Sequence, residues 1–236
     1  MNVLVACEFS GIVREAFKAE GHNAFSCDLL PTEIPGQHIQ DDVLKYLHYP
    51  WDLLIAFPDC TYLTNAGVRY LHEHANNPKF DKAKIFGQAR RIEMVRAAWF
   101  FNCFKVDHIK KICIENPIPH GYAKKLIGNY SQLIQLWQFG HGETKAICFW
   151  LKELPKLKPT DIVGGRKPIV HYESPGPDRW KNRSRTRPGI ARAMAIQWGR
   201  TPPPLQTHAP GAVEAASPDD RQCLSDTSES LGGSHV

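Results

Sequence analysis

The first 28 residues constrain the fold more than any other part of the chain. An apolar run, Asn2-Val3-Leu4-Val5-Ala6-Cys7, passes through Glu8-Phe9-Ser10 into Gly11 and a helical stretch carrying Arg14, Ala16, Phe17 and Ala19. A strand without polar alternation is buried on both faces, the usual state of a strand in a parallel sheet. Gly21 closes the helix, and Asn23 to Cys27 reads as a second strand ending at Asp28. His38 to Val43 reads as a short third strand and Asp52 to Ala56 as a fourth. Lys110 to Ile114 and Lys145 to Leu151 read as two more. Lys82 to Phe104 is the longest stretch at helical spacing, through Phe86, Ala89, Met94, Val95, Ala98 and Trp99. Leu126 to Leu136 offers a short helix and Thr186 to Trp198 a final one, with Pro188 in its first turn and Gly199 at its end. This alternation predicts a doubly wound α/β sheet.

The chain has 236 residues, enough for one well-buried domain over about 1–206. After Thr201-Pro202-Pro203-Pro204 large apolar residues thin out, and 207–236 is expected to be a disordered tail. A net charge of +5 is compatible with a polyanionic partner without requiring one. Seven scattered cysteines include no C-x-x-C pair, which favours reduced thiols and a cytoplasmic setting over a disulfide framework. The amino terminus lacks the basic region and long apolar core of a signal peptide. No apolar run approaches the roughly 20 residues that span a bilayer. The protein is expected to work as a monomer.

Several residues at strand ends suit a nucleoside. Glu8-Phe9-Ser10-Gly11 follows the first strand, and Gly11 permits a tight turn beside a ligand. The G-x-G-x-x-G spacing of a pyrophosphate cradle is missing. Asp28, with Leu29 after it, stands where a carboxylate accepts both ribose hydroxyls. Asp42-Val43 ends the third strand, where an acid can accept an adenine amino group and an apolar side chain can face the ring. Read singly, each acid is equally well a solvated strand end.

Ile55-Ala56-Phe57-Pro58-Asp59-Cys60-Thr61 places a thiol just past the fourth strand, at the edge where open α/β sheets hold their ligands. The fifth strand ends in Glu115-Asn116-Pro117. A thiolate that adds to carbon 6 of cytosine makes carbon 5 nucleophilic, and a carboxyl group at ring nitrogen 3 assists by donating a proton. Cys7, Cys27, Cys103, Cys113 and Cys148 read instead as core or strand residues.

Taken in order, these segments resemble the cytosine-5 DNA methyltransferase family, in a compact form like those of phages and prophages. Phe9-Ser10-Gly11 resembles its Phe-x-Gly cofactor motif, with Ile12 following. Asp28 and Asp42-Val43 resemble its ribose- and adenine-binding positions. Phe57-Pro58-Asp59-Cys60 resembles the Pro-Cys motif, and Glu115-Asn116-Pro117 the Glu-Asn-Val motif that binds the flipped cytosine. Phe139 to Lys145 sits where the family has Gln-x-Arg-x-Arg, and Ser184 to Gly199 resembles the last motif, whose helix packs near the cofactor. The resemblance covers about residues 2–200. It implies a Rossmann-like fold, S-adenosylmethionine as cofactor, DNA cytosine as acceptor and no metal. It implies Cys60 as nucleophile, Glu115 and Asn116 as its catalytic partners, and Phe57 and Pro58 beside the cofactor.

The departures are specific. Asp59 replaces the proline before the cysteine, and its charge favours the neutral thiol. The arginines of Gln-x-Arg-x-Arg are absent, leaving Lys145 as the nearest cation. The target-recognition segment is reduced to about 152–183. Arg179, Lys181, Arg183, Arg185 and Arg187 recur at every second residue beside Trp180. In an extended segment they share one face and can follow DNA phosphates, with Lys145, Arg183, Arg185 and Arg187 as the candidate contacts. Thr61 to Asp81 reads as a mobile loop with room for one helical turn, able to close over a flipped base. Three other readings stay open: an enzyme for free or single-stranded cytosine, a binding protein silenced by Asp59, and an adenine amino methyltransferase.

Overall fold

The computed structural model describes residues 1–72, 85–168, 172, 174 and 176–200. The segment 207–236, expected to be tail, and 73–81, expected to be part of a loop, lie outside the described residues.

Seven strands form one sheet: β1 (Asn2–Ala6), β2 (Asn23–Asp28), β3 (His38–Gln40), β4 (Leu53–Ala56), β5 (Lys111–Asn116), β6 (Gln132–Gln135) and β7 (Ala146–Lys152). Their spatial order is β3-β2-β1-β4-β5-β7-β6. The first five are mutually parallel, whereas β7 runs antiparallel to both β5 and β6. The helices are α1 (Ile12–Ala19), α2 (Gly87–Cys103), α3 (Gly121–Ile127), α4 (Arg179–Ser184) and α5 (Pro188–Gly199).

Alternate residues of the central strands feed two cores. Val3, Val5, Leu53 and Ile55 pack with Val13 and Phe17 of α1 and with Ile190, Met194 and Trp198 of α5. Leu4, Ala6, Leu54 and Ala56 pack with Met94, Ala98 and Phe101 of α2 and with Ile127 of α3. Both faces of β1 and β4 are therefore covered, which is why neither strand shows polar alternation. The chain folds as the expected doubly wound, Rossmann-like α/β domain.

Two segments depart from expectation. The helix expected over Leu126–Leu136 is instead the end of α3 followed by β6. Gly128, at φ +79°, terminates α3, and Gln132-Leu133-Ile134-Gln135 then pairs along β7. The third strand stops at Gln40, because Asp42 turns the chain by accepting the Leu44 N–H at 3.0 Å. That contact caps a short 3-10 helix at Val43–Tyr46. Within the presumed loop after Cys60, Asn65–Leu71 is also 3-10 helix.

Candidate active site

The carboxyl ends of β1, β2, β4 and β5 open into a cleft with a cavity volume of about 1400 Å³. A typical small-molecule site encloses roughly 300–1,000 Å³, so there is room for more than one ligand. Because β7 is antiparallel, its amino end lies at this same edge and brings Lys145 and Ala146 into the lining.

On the β1–β3 side the wall is acidic. Glu8, Asp28, Asp41 and Asp42 line it together with Phe9, Ser10, Leu29 and Val43. Glu8, which the sequence placed beside Phe9-Ser10-Gly11 without a role of its own, is only 4% exposed. Its carboxylate accepts the Val13 N–H at 2.6 Å and the Arg14 N–H at 3.2 Å, and the Ser10 hydroxyl at 3.2 Å. A side-chain anion thus occupies the amino end of α1, the position at which dinucleotide folds bind phosphate. Burial pushes Glu8 up to about 6 against the pull of these donors. Burial also raises Asp28, whose carboxylate accepts the Leu30 N–H at 3.0 Å. An acidic residue just ahead of a helix start, whose first N–H groups lack intrahelical acceptors, is the signal by which Glu8 could have been found.

Two expected cofactor residues do not line the cleft. Gly11, at φ +76°, makes the turn into α1, where a side chain would collide with the Arg14 guanidinium and with Ile34. Ile12 packs against the α1/α5 core. Leu29 is 72% exposed at the rim, and Phe9 is buried with its ring 6.0 Å from that of Trp180.

Cys60, Glu115, Phe57, Pro58, Asp59 and Lys145 line the opposite side of the same cleft. Cys60 sits in a tight turn in which its carbonyl accepts the Leu63 N–H at 3.0 Å and the Thr64 N–H at 3.2 Å. Asp59 closes the turn, accepting the Thr61 N–H at 2.9 Å and the Thr61 hydroxyl at 2.6 Å. Burial, then the Glu115 charge, then the Asp59 charge push the Cys60 thiol up to about 11, while Lys145 opposes them. Burial likewise raises Glu115, and Lys145 again opposes. The two groups are electrostatically coupled: a protonated Glu115 favours a Cys60 thiolate.

Asn116 is not in the lining. It is fully buried, and its amide donates to the Pro58 carbonyl at 3.4 Å, tying the end of β5 to the segment ahead of Cys60. Nearby, His120 accepts the Ala123 N–H on Nδ1 at 3.0 Å, so Nε2 carries the proton and donates to the Tyr62 carbonyl at 3.0 Å.

The arginine segment is not extended. Residues 179–184 form α4, so residues two apart point to different sides and the expected single basic face does not exist. Arg185 forms a two-pronged ion pair with Glu33 at 2.6 and 2.7 Å. Arg187 meets Glu143 at 2.8 Å. Arg183 contributes its carbonyl, which accepts from Lys145 Nζ at 3.0 Å. Arg183 and Arg185 border both the main cleft and a small void of about 20 Å³ that shares Glu115 with it, whereas Arg187 borders the small void alone. Alternating charge in the sequence could not reveal these carboxylate partners, which come from distant loops.

Among the described residues, no group of three or more His, Cys, Asp or Glu side chains could hold a metal ion. No helix among them is long and apolar enough to cross a membrane.

The solved structures to which the chain is similar include two methyltransferases. One, described as a candidate DNA modification methyltransferase encoded within a prophage (E. coli), is 14% identical over 74% of this chain and 55% of that one, with a TM-score of 0.42. The other, the Entamoeba histolytica methyltransferase EhMeth, is 13% identical over 75% of this chain and 60% of that one, with a TM-score of 0.37. The chain thus spans less than two thirds of either structure's length. No family model and no curated protein matches it.

Proposed function

We propose that this protein transfers a methyl group from S-adenosylmethionine to carbon 5 of cytosine in DNA, with Cys60 as covalent nucleophile. The observation that carries this reading is that Cys60 and Glu115, at the ends of neighbouring strands, share one cleft with Lys145, whose charge acts on both. The acidic wall fits the cofactor. Asp28 stands at a ribose-binding position, Asp42 and Val43 at an adenine-binding position, and Glu8 supplies negative charge where a phosphate would otherwise sit. When bound, S-adenosylmethionine supplies an electrophilic methyl group on a cationic sulfonium. Phe9 and Phe57 keep water from the region between the two walls.

Glu115 enters protonated, so it carries no charge against the Cys60 thiolate, and it passes its proton to ring nitrogen 3 only as that thiolate is consumed in the addition. Cys60 Sγ bonds to carbon 6, and carbon 5 takes the methyl group. Loss of the carbon 5 proton then expels the thiolate, and Glu115 recovers its proton from nitrogen 3. The net change is replacement of a ring hydrogen by methyl with release of one proton. A duplex substrate must first surrender the base from its stack, at a cost of a few kcal/mol.

A second reading has one observation in its favour. Glu33 and Glu143 already neutralise Arg185 and Arg187, which leaves less positive charge for a duplex backbone and favours a single strand or a nucleotide.

The test is incubation with labelled cofactor and a duplex bearing 5-fluorocytosine, alongside single strands and dCMP. Native protein is expected to form a stable adduct at Cys60. Cys60→Ala is expected to form none and to transfer no label, while cofactor affinity stays within about twofold because the thiol is not part of the acidic wall. Adduct formation by Cys60→Ala, or none by the native protein on any substrate, overturns the proposal.

A further inference from the structure

The turn that carries Cys60 is held from behind. The Pro58 carbonyl accepts from Asn116, the Tyr62 carbonyl from His120 Nε2, and the Leu63 carbonyl from the His120 N–H at 3.0 Å. The Thr61 carbonyl accepts from Arg90 Nη2 at 3.0 Å. Thr61 is the residue immediately after the nucleophile, so this bond acts closest to it.

Arg90 is an unusual donor. It belongs to α2, is 8% exposed, and among the described residues pairs with no carboxylate. Its guanidinium lies over the Tyr62 ring at 4.9 Å and the Tyr70 ring at 5.2 Å. Its Nε is buried without a hydrogen-bond partner among the described residues. A buried cation without an anion is costly, and two ring faces offset only part of that cost. Gly67 completes the arrangement. A side chain there would collide with Arg90 Nη2 and lie 3.2 Å from the Thr61 carbonyl oxygen, so only a bare backbone lets the two meet.

We propose that Arg90 is a positioning residue for the nucleophile, fixing the Thr61 carbonyl and with it the direction of Cys60 Sγ without touching substrate. This rests on the role given to Cys60 above. A nucleophile misplaced by about 1 Å can lose on the order of a hundredfold in rate, so a rigid turn is worth a strained cation. Lysine at this position can reach the carbonyl but cannot lay a planar cation against two rings.

The test compares Arg90→Ala, Arg90→Lys and Gly67→Ala with Arg91→Ala, a half-buried neighbour on the same helix whose guanidinium lies over the Tyr122 ring instead. Single-turnover methyl transfer, cofactor affinity and the rate at which iodoacetamide labels Cys60 are read for each. In Arg90→Ala and Gly67→Ala transfer is expected to fall by about tenfold to a hundredfold. Cofactor affinity is expected to stay within about twofold in both, because the acidic wall is untouched. Labelling of Cys60 rises several-fold as the turn loosens. Arg90→Lys recovers part of the transfer, and Arg91→Ala matches the native protein. Native transfer rates in Arg90→Ala overturn the proposal, as does a loss that follows cofactor affinity and melting in parallel. If the native protein methylates nothing, the functional reading fails separately. Labelling then decides this one: a rate changed by Arg90→Ala but not by Arg91→Ala supports it, and equal rates overturn it.

Discussion

The two walls of the cleft differ in how they carry charge. On the β1–β3 side four carboxylates, Glu8, Asp28, Asp41 and Asp42, face the cavity, and Glu8 takes its hydrogen bonds from the backbone of α1. On the β4–β5–β7 side one carboxylate, Glu115, stands beside a thiol and a lysine, and its surroundings push it toward the neutral form. The first wall gathers four carboxylates, suited to holding a cation. The second can exchange protons, suited to bond making. A sheet can host both because its strand ends are separate attachment points for side chains.

The comparison breaks most decisively at Glu115. Glu115→Gln keeps the shape of the second wall and removes its proton, and transfer is expected to fall by about 10²- to 10³-fold with cofactor affinity unchanged. Titration of methyl transfer against both ligands checks this, and a variant that loses cofactor affinity instead would mean the two walls are not separate.

A smaller effect is expected on the acidic wall. Glu8→Gln should weaken cofactor binding about tenfold, as removal of one buried charge facing a cation does. It should also alter stability in a defined direction. The carboxyl in the fold is raised from 4.5 to about 6, so its folded form holds the proton more tightly than its unfolded form. Its contribution to stability is therefore present below pH 4.5 and is lost as pH rises through about 6. Melting of the native protein between these pH values should show a decline of about 2 kcal/mol that Glu8→Gln lacks.

The smallest effect sharpens the comparison at the rim. Glu33→Gln with Glu143→Gln removes the anions paired to Arg185 and Arg187, half-exposed contacts worth up to about 1 kcal/mol each. If these arginines then turn to phosphate, DNA affinity rises at low salt and its dependence on log salt steepens by up to about 2. An unchanged salt slope favours a nucleotide or short single strand as substrate.

The central strands were legible because burial on both faces leaves an unbroken apolar run, as in Asp52-Leu53-Leu54-Ile55-Ala56. Gly21 and Pro188 marked helix ends for equally local reasons. β6 was not legible, because Gln132-Leu133-Ile134-Gln135 becomes a strand only by pairing with β7. The same distinction runs through the candidate site. Cys60 and Glu115 could be placed at neighbouring strand ends from short motifs. The partners of Arg185 and Arg187 could not, since Glu33 and Glu143 are far away in the chain. Arg90 was not legible either, because only the approach of Gly67 and the Cys60 turn shows why it is buried.

The reversal of β7 has an architectural consequence. Lys152 pairs with Ile112 at the edge opposite the cleft, whereas Trp180 and Arg183 lie at the cleft itself. Residues 153–167 therefore travel the height of the sheet, since Lys167 bridges Glu143 just ahead of β7. Extra length can be spliced into such a return path without shifting any strand register, so a larger sequence-reading module could be grafted onto the minimal catalytic frame there.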